Sequence, residues 1–219
     1  MKKSVVYEMT ASLDVDPQKS FTSACPLELP IESGHVIAKE CNENVLKATY
    51  RLLSKDAHPL SASWVSTVEN PQFTKIKREA NVDMYWNAHC IVGTPGFELI
   101  EGFPHVSTYD LVIYKGVERD MHPYSPIYHD LEKKVSTGII EFARSKGVDT
   151  FILGGLSLDF CLGEAAFDLK EAGFRVIVNL GATRAIGSQE DFIVKAEKVG
   201  IEFVNSASEI SSEDFDLPF

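Results

Sequence analysis

Asp16, Lys115 and Cys161 are the residues of this 219-residue chain best suited to acyl-transfer chemistry, and each stands at or just beyond a run of aliphatic, β-branched or aromatic residues. Cys161 has the most informative setting. The run GGLSLDFCLGEAA, residues 154–166, passes from a buried-strand pattern through a glycine-bearing turn into a helical pattern. A thiol at a helix N-terminus lies at the positive end of the peptide dipoles, which favours the thiolate, and a nearby lysine favours it further. Free N–H groups in the same turn could hold the oxyanion of a tetrahedral intermediate. Cys25, Cys41 and Cys90 lack this setting and show no CxxC spacing. They read as free structural thiols, the ordinary role of a small buried hydrophobe.

Asp56 and His58, followed much later by His89, form a second group. One aspartate with two imidazoles suits a divalent transition metal such as zinc, iron or manganese, and leaves coordination positions for water or a ligand. From spacing alone this signal is weak, because DxH is a common accident.

The elements that must position these residues alternate between strand and helix patterns, which points to a mostly parallel sheet covered on both faces, a three-layer α/β/α arrangement. A first strand is expected within Ser4 to Asp16, a short helix from about His35 to Leu46, and strands at Ala48 to Ser54 and Thr108 to Tyr114. Lys115 then stands immediately beyond the latter. Leu131, Val135, Ile139 and Phe142 are spaced as one helical face that Gly147 can end. Thr150 to Leu153 reads as a buried strand. Leu162, Ala165, Ala166 and Leu169 mark the next helix, and Phe174 to Leu180 the next strand. Ser188 with Asp191 is a capping pair for a last helix carrying Phe192, Ala196 and Val199. Pro59 to Pro104 is long and irregular, as functional loops in compact domains are. The polar, acidic tail begins at Ser206. In such sheets ligands bind outside the carboxyl ends of the strands, where Asp16, Lys115 and Cys161 all fall.

Length and a 44% hydrophobic content fit one domain over residues 1–219. The net charge of -11 argues against nucleic acid or anionic lipid as partner. No apolar run approaches 18 residues, and Glu8 and Thr10 interrupt the stretch after the basic Met1 to Lys3, so a cytoplasmic protein without a membrane partner is expected. Homo-oligomerisation is left open.

Taken in order, five segments resemble the nicotinamidase/pyrazinamidase branch of the isochorismatase-like cysteine hydrolases. VDPQKSF (15–21) resembles that family's VDVQNDF, KDAHP (55–59) its DWHP, and WNAHCIVGTPG (86–96) its WPxHCVxGTPG. YKG (114–116) matches the segment of the catalytic lysine, and GLSLDFCL (155–162) the nucleophile segment GxATDxCV. The resemblance implies the isochorismatase-like hydrolase fold and hydrolysis of nicotinamide to nicotinate and ammonia through a thioester on Cys161. Asp16 would be general base and acid, and Lys115 the cation of the triad. Asp56, His58 and His89 would bind one divalent metal, zinc first with iron or manganese as alternatives, which contacts the pyridine nitrogen. Phe21 and Trp86 would flank the ring. The amides of Ser157 and Cys161 would be the oxyanion donors, beside a cis bond from Leu156 to Ser157.

The sequence also departs from that pattern. Trp64 stands where many members carry a further histidine eight residues after the metal aspartate, Asn87 replaces a proline, Lys19 and Ser20 replace an Asn-Asp pair, and Ser157 and Leu158 replace Ala-Thr. The alternatives are a related hydrolase of another small amide or carbamoyl compound, whose members lack the metal set, and an isochorismatase, which does not need the cysteine. A third is a catalytically silent binding member. The insertion from Ser61 to Val82 reads as a lid or interface segment.

Overall fold

Six parallel strands make one sheet in the order β3-β2-β1-β4-β5-β6, in a computed structural model that describes residues 9–77 and 81–211. They are β1 (Thr10–Val15), β2 (Tyr50–Asp56), β3 (Leu111–Lys115), β4 (Thr150–Leu156), β5 (Arg175–Arg184) and β6 (Glu202–Val204). The helices are α1 (Ala38–Val45), α2 (Ile139–Ser145), α3 (Cys161–Glu171) and α4 (Gln189–Glu197), with short 3-10 turns between elements. This is the expected α/β/α fold. Of the first predicted strand, residues 4–8 lie outside the described residues, as do 212–219 of the acidic tail.

Strand alternation sorts the core into two layers. Ala11, Leu13, Val15, Phe151, Leu153, Val176 and Val178 point to one face, where α2, α3 and α4 supply Ile139, Leu162, Ala165, Leu169, Phe192 and Ala196. On the other face Cys41 of α1 packs with Ile37, Leu156 and Ala182, and Ile152 and Ile177 meet Ile210. Asp14 points away from the first layer, fully buried. Burial raises its carboxyl to about 6 against the opposing pull of Arg51, whose guanidinium lies 2.7 Å away.

Two expectations are corrected. Leu131 and Val135 are not helical, and α2 starts only at Ile139. The Asp130 carboxylate accepts from the amides of Lys134 (2.8 Å) and Val135 (3.3 Å), Lys133 takes φ 58°, and Tyr128 bridges Ser136 in antiparallel sense. These local bonds occupy the groups that a helix would use. Lys115 is the last residue of β3 rather than the residue beyond it, paired in register with Asp56 of β2. β6, a three-residue edge strand, was not foreseen. The cap of the last helix is as expected, with Ser188 Oγ accepting from Asp191 N at 3.1 Å, but the helix ends at Glu197 and leaves Val199 beyond it.

The chain runs outward from β1 to β3, returns to lay β4 against β1, and continues outward to β6. Strand order therefore reverses between β1 and β4, and a crevice opens there at the carboxyl ends. No helix among the described residues is long and apolar enough to cross a membrane.

Candidate active site

Asp16 is the first residue past β1, with φ 44°, a left-handed conformation that a non-glycine residue seldom adopts outside functional sites. Ser54 of the neighbouring strand holds it: the Ser54 hydroxyl donates to Asp16 Oδ1 at 2.7 Å, and the Asp16 amide donates to the Ser54 carbonyl at 3.1 Å. Lys115 is wholly buried. Its Nζ lies 3.1 Å from Asp16 Oδ2, bonds Asp56 Oδ1, donates to the Pro123 carbonyl at 3.2 Å and reaches Cys161 Sγ at 3.5 Å. Oxygen atoms of Asp16 and Asp56 and the Cys161 sulfur all lie within 4.8 Å of one another. The sequence-predicted trio is thus assembled, with Asp56 sharing the lysine.

Cys161 opens α3, as the sequence implied, yet burial pushes its thiol well above the usual range, and Lys115 only partly opposes that. Desolvation outweighs the pull of the lysine, so the resting group is the thiol. Burial likewise lifts Asp16 to about 6 against the pull of Lys115. Burial would lift Asp56 too, but Lys115, His58 and His89 overcome it and hold that carboxyl well below its usual range. A proton acceptor and a neutral thiol therefore stand side by side.

The strand end that carries Cys161 needs two unusual backbone features. The bond between Leu156 and Ser157 is cis, as the resemblance implied. Gly155 has φ 124°, and a side chain there would strike the Val15 backbone, so β1 and β4 can approach this closely only with glycine at that position.

Next to the trio, His58 Nδ1 donates to the Gly116 carbonyl (3.0 Å) and His89 Nδ1 to the Asn87 carbonyl (2.7 Å). Because carbonyls only accept, Nδ1 of each ring is the donor in its bond, which leaves Nε2 as the atom turned to Asp56. Those Nε2 atoms lie 3.5 and 3.9 Å from Asp56, and that of His58 has no hydrogen-bond partner. Burial and the neighbouring His58 ring hold His89 neutral, near 3. Asp56, His58 and His89 thus bring a carboxylate and two imidazole nitrogens together, a donor set of the kind that could hold a divalent transition metal. Gly116 permits it, since a Cβ there would collide with the His58 ring.

A pocket opens over this group, lined among others by Phe21, Trp86, Tyr124, Ser157, Phe160 and Cys161. Phe21 and Trp86 both line it. Trp64 is fully buried, its ring edge-on to His58 at 4.6 Å. Sequence reasoning missed Tyr124, whose hydroxyl donates to Asp83 (2.7 Å) and accepts from Trp86 Nε1 (3.3 Å). It also missed His122, whose ring lies 5.2 Å from that of His58. One signal was available for the latter: Asp120-Met121-His122-Pro123 repeats the Asp-x-His-Pro pattern of residues 56–59.

No known family's sequence profile matches the chain. A nicotinamidase of Acinetobacter baylyi is 30% identical over 137 residues, 62% of this chain and 63% of that protein. The match thus spans less than two thirds of the relative's length. Among solved structures, a nicotinamidase/pyrazinamidase of Acinetobacter baumanii superposes with TM-score 0.79 at 22% identity, covering 95% of this chain and 98% of that one. The yeast nicotinamidase bound to the inhibitor nicotinaldehyde gives 0.78 at 18% identity over 90% and 100%. A pyrazinamidase of Pyrococcus horikoshii in complex with zinc gives 0.71 at 24% identity over 90% and 98%.

Proposed function

We propose, on the premise that this chain belongs to the isochorismatase-like hydrolase fold family and is similar to nicotinamidases, that it hydrolyses nicotinamide to nicotinate and ammonia. The observation that carries this reading is the placement of Lys115 Nζ between Asp16 and Cys161, beside the Asp56, His58 and His89 group and under a pocket lined by Phe21 and Trp86.

In this reading Asp16 removes the Cys161 proton as sulfur attacks the amide carbon, and the carbonyl oxygen becomes an oxyanion facing the amides of Ser157 and Cys161. Asp16 then gives the proton to the departing nitrogen, ammonia leaves, and a thioester remains on Cys161. Water, deprotonated by Asp16, attacks the thioester carbon. Collapse of the second oxyanion breaks the C–S bond, the sulfur regains a proton, and nicotinate is released. Lys115 holds Asp16 oriented and offsets negative charge as it moves between oxygen and sulfur. Phe21 and Trp86 sandwich the ring. Asp56, His58 and His89 would hold a divalent metal, zinc first, which would supply a Lewis acid able to orient the ring through its pyridine nitrogen. The zinc complex of the Pyrococcus pyrazinamidase and the nicotinaldehyde complex of the yeast enzyme support this reading by analogy of fold.

The test is ammonia release from nicotinamide by purified protein, before and after chelation and again after resupply of zinc, iron or manganese. Turnover that falls on chelation and returns with one of these ions is the expected result. Inactivity on nicotinamide under every metal condition would overturn the substrate assignment and direct a panel of other amides and carbamoyl compounds.

The pH profile follows from Asp16. It must be ionised to take the thiol proton, and its carboxyl is raised to about 6, so below that pH it is increasingly protonated and idle. kcat/KM is expected to rise with unit slope on a logarithmic plot up to about pH 6 and then level. A plateau extending unbroken to pH 4 would remove Asp16 from the role of base.

A further inference from the structure

His122 is 4% exposed, and neither of its ring nitrogens has a hydrogen-bond partner. Native proteins rarely leave a buried imidazole so, and such a group asks for an explanation. Its ring stacks on that of His58, 20° between planes, and lies 5.6 Å from His89. One nitrogen from each of the three rings lies within 4.8 Å of the other two. Two donors bound to one ion at about 2.1 Å are separated by at most about 4.2 Å. Sub-ångström shifts therefore suffice to bring all three onto a common centre.

The loop that brings His122 here is fastened on both sides of the ring. Trp64 Nε1 donates to the Met121 carbonyl at 3.1 Å, the His122 amide donates to the Asn81 carbonyl at 2.8 Å, and Lys115 Nζ donates to the Pro123 carbonyl at 3.2 Å. Three separate segments thus hold three consecutive residues. The Trp64 ring, edge-on to His122 at 4.4 Å and to His58 at 4.6 Å, fills the wall behind both imidazoles. Trp64 occupies the sequence position at which a local histidine ligand was looked for, and it also anchors the loop that carries a distant one.

We propose that His122 is a direct ligand of the metal, a third imidazole delivered by the loop after β3 to the centre formed by Asp56, His58 and His89. The inference rests on the reading of those three residues as a metal site and extends it. Three imidazoles and one carboxylate make a nitrogen-rich set that selects zinc, iron or cobalt over magnesium or calcium, whose ligands are almost wholly oxygen.

The test uses the full chain stripped of metal and titrated with Zn²⁺ against a chromogenic chelator and with Co²⁺ by visible absorption. Wild type, His122→Ala, His122→Asn and His105→Ala are compared, the last being a histidine remote from the pocket. X-ray absorption of the zinc-loaded wild type counts imidazoles directly and needs no variant. Expected are three imidazoles in the wild type, two in His122→Ala, an altered cobalt spectrum, and zinc affinity lowered about 100-fold, at the upper end of what loss of even an outer-shell partner costs. His105→Ala should match wild type. A wild type with two imidazoles, or a folded His122→Ala or His122→Asn with unchanged affinity and cobalt spectrum, overturns the proposal and leaves the metal reading of the other three residues standing. A wild type that binds neither ion overturns both.

Discussion

Cys161→Ala is expected to lower kcat/KM for nicotinamide by at least about 10⁴-fold, on the scale seen when a covalent nucleophile is removed from a preorganised site. The sulfur is the reactive atom within reach of both Lys115 Nζ, at 3.5 Å, and the Asp16 carboxylate. Ser157 also lines the pocket, but its hydroxyl has no hydrogen-bond partner and hence no base to activate it. Loss of one sulfur atom next to a pocket should change the unfolding free energy by only about 1 kcal/mol, so the variant folds and the loss is chemical. Two measurements check this: steady-state ammonia release, and mass spectrometry of acid-quenched wild type, which should carry an acyl adduct during turnover that the variant lacks. A variant retaining a tenth or more of the wild-type rate would sink the thioester route.

Lys115→Met should be the most damaging single change to the fold near the site. The ammonium is fully buried and bridges Asp16 and Asp56, offsetting one of the two negative charges that otherwise face each other out of water. Breaking a buried pair by removing one partner costs about 3–5 kcal/mol. The pH dependence of that deficit is its signature. Without the lysine the two carboxyls have folded-state pKa values raised above the unfolded value, so the native state binds more protons and the variant loses stability as pH rises through that window. The gap between wild type and variant in urea unfolding should therefore be wider at pH 8 than at pH 5. A gap independent of pH would mean that Lys115 acts through packing alone. The residual activity of the variant should also need a higher pH than wild type, because Asp16 loses its counter-ion.

The legible parts of this site share a property. Asp16, Asp56, Lys115 and Cys161 each lie at the end of an apolar run, and in a parallel sheet all such ends open on one side, so local pattern implies proximity. His58 and His89 could be matched only through the motifs around them. His122 lies in the irregular segment between β3 and α2, where no periodicity reports position, and its approach depends on bonds from Trp64, Asn81 and Lys115 that no local window contains. The misjudged helix at Leu131 and Val135 has the opposite cause. The apolar spacing was there, but the Asp130 carboxylate supplied the backbone with a nearer partner. At Cys161 the helix start can be read locally, whereas the burial that raises its thiol is set by the whole fold.

The reversal of strand order between β1 and β4 has a kinetic consequence. Asp16 follows a strand near one end of the chain, and the strand that presents Cys161 pairs with it only after the whole β2–β3 excursion and its long loops have been laid down. Non-local parallel pairings of this kind bear the entropy of closing a large loop before any contact compensates it, and they form late. Helix content on refolding should thus recover well ahead of any activity, and a chain halted before β4 would carry Asp16, Lys115 and the Asp56, His58 and His89 group without Cys161.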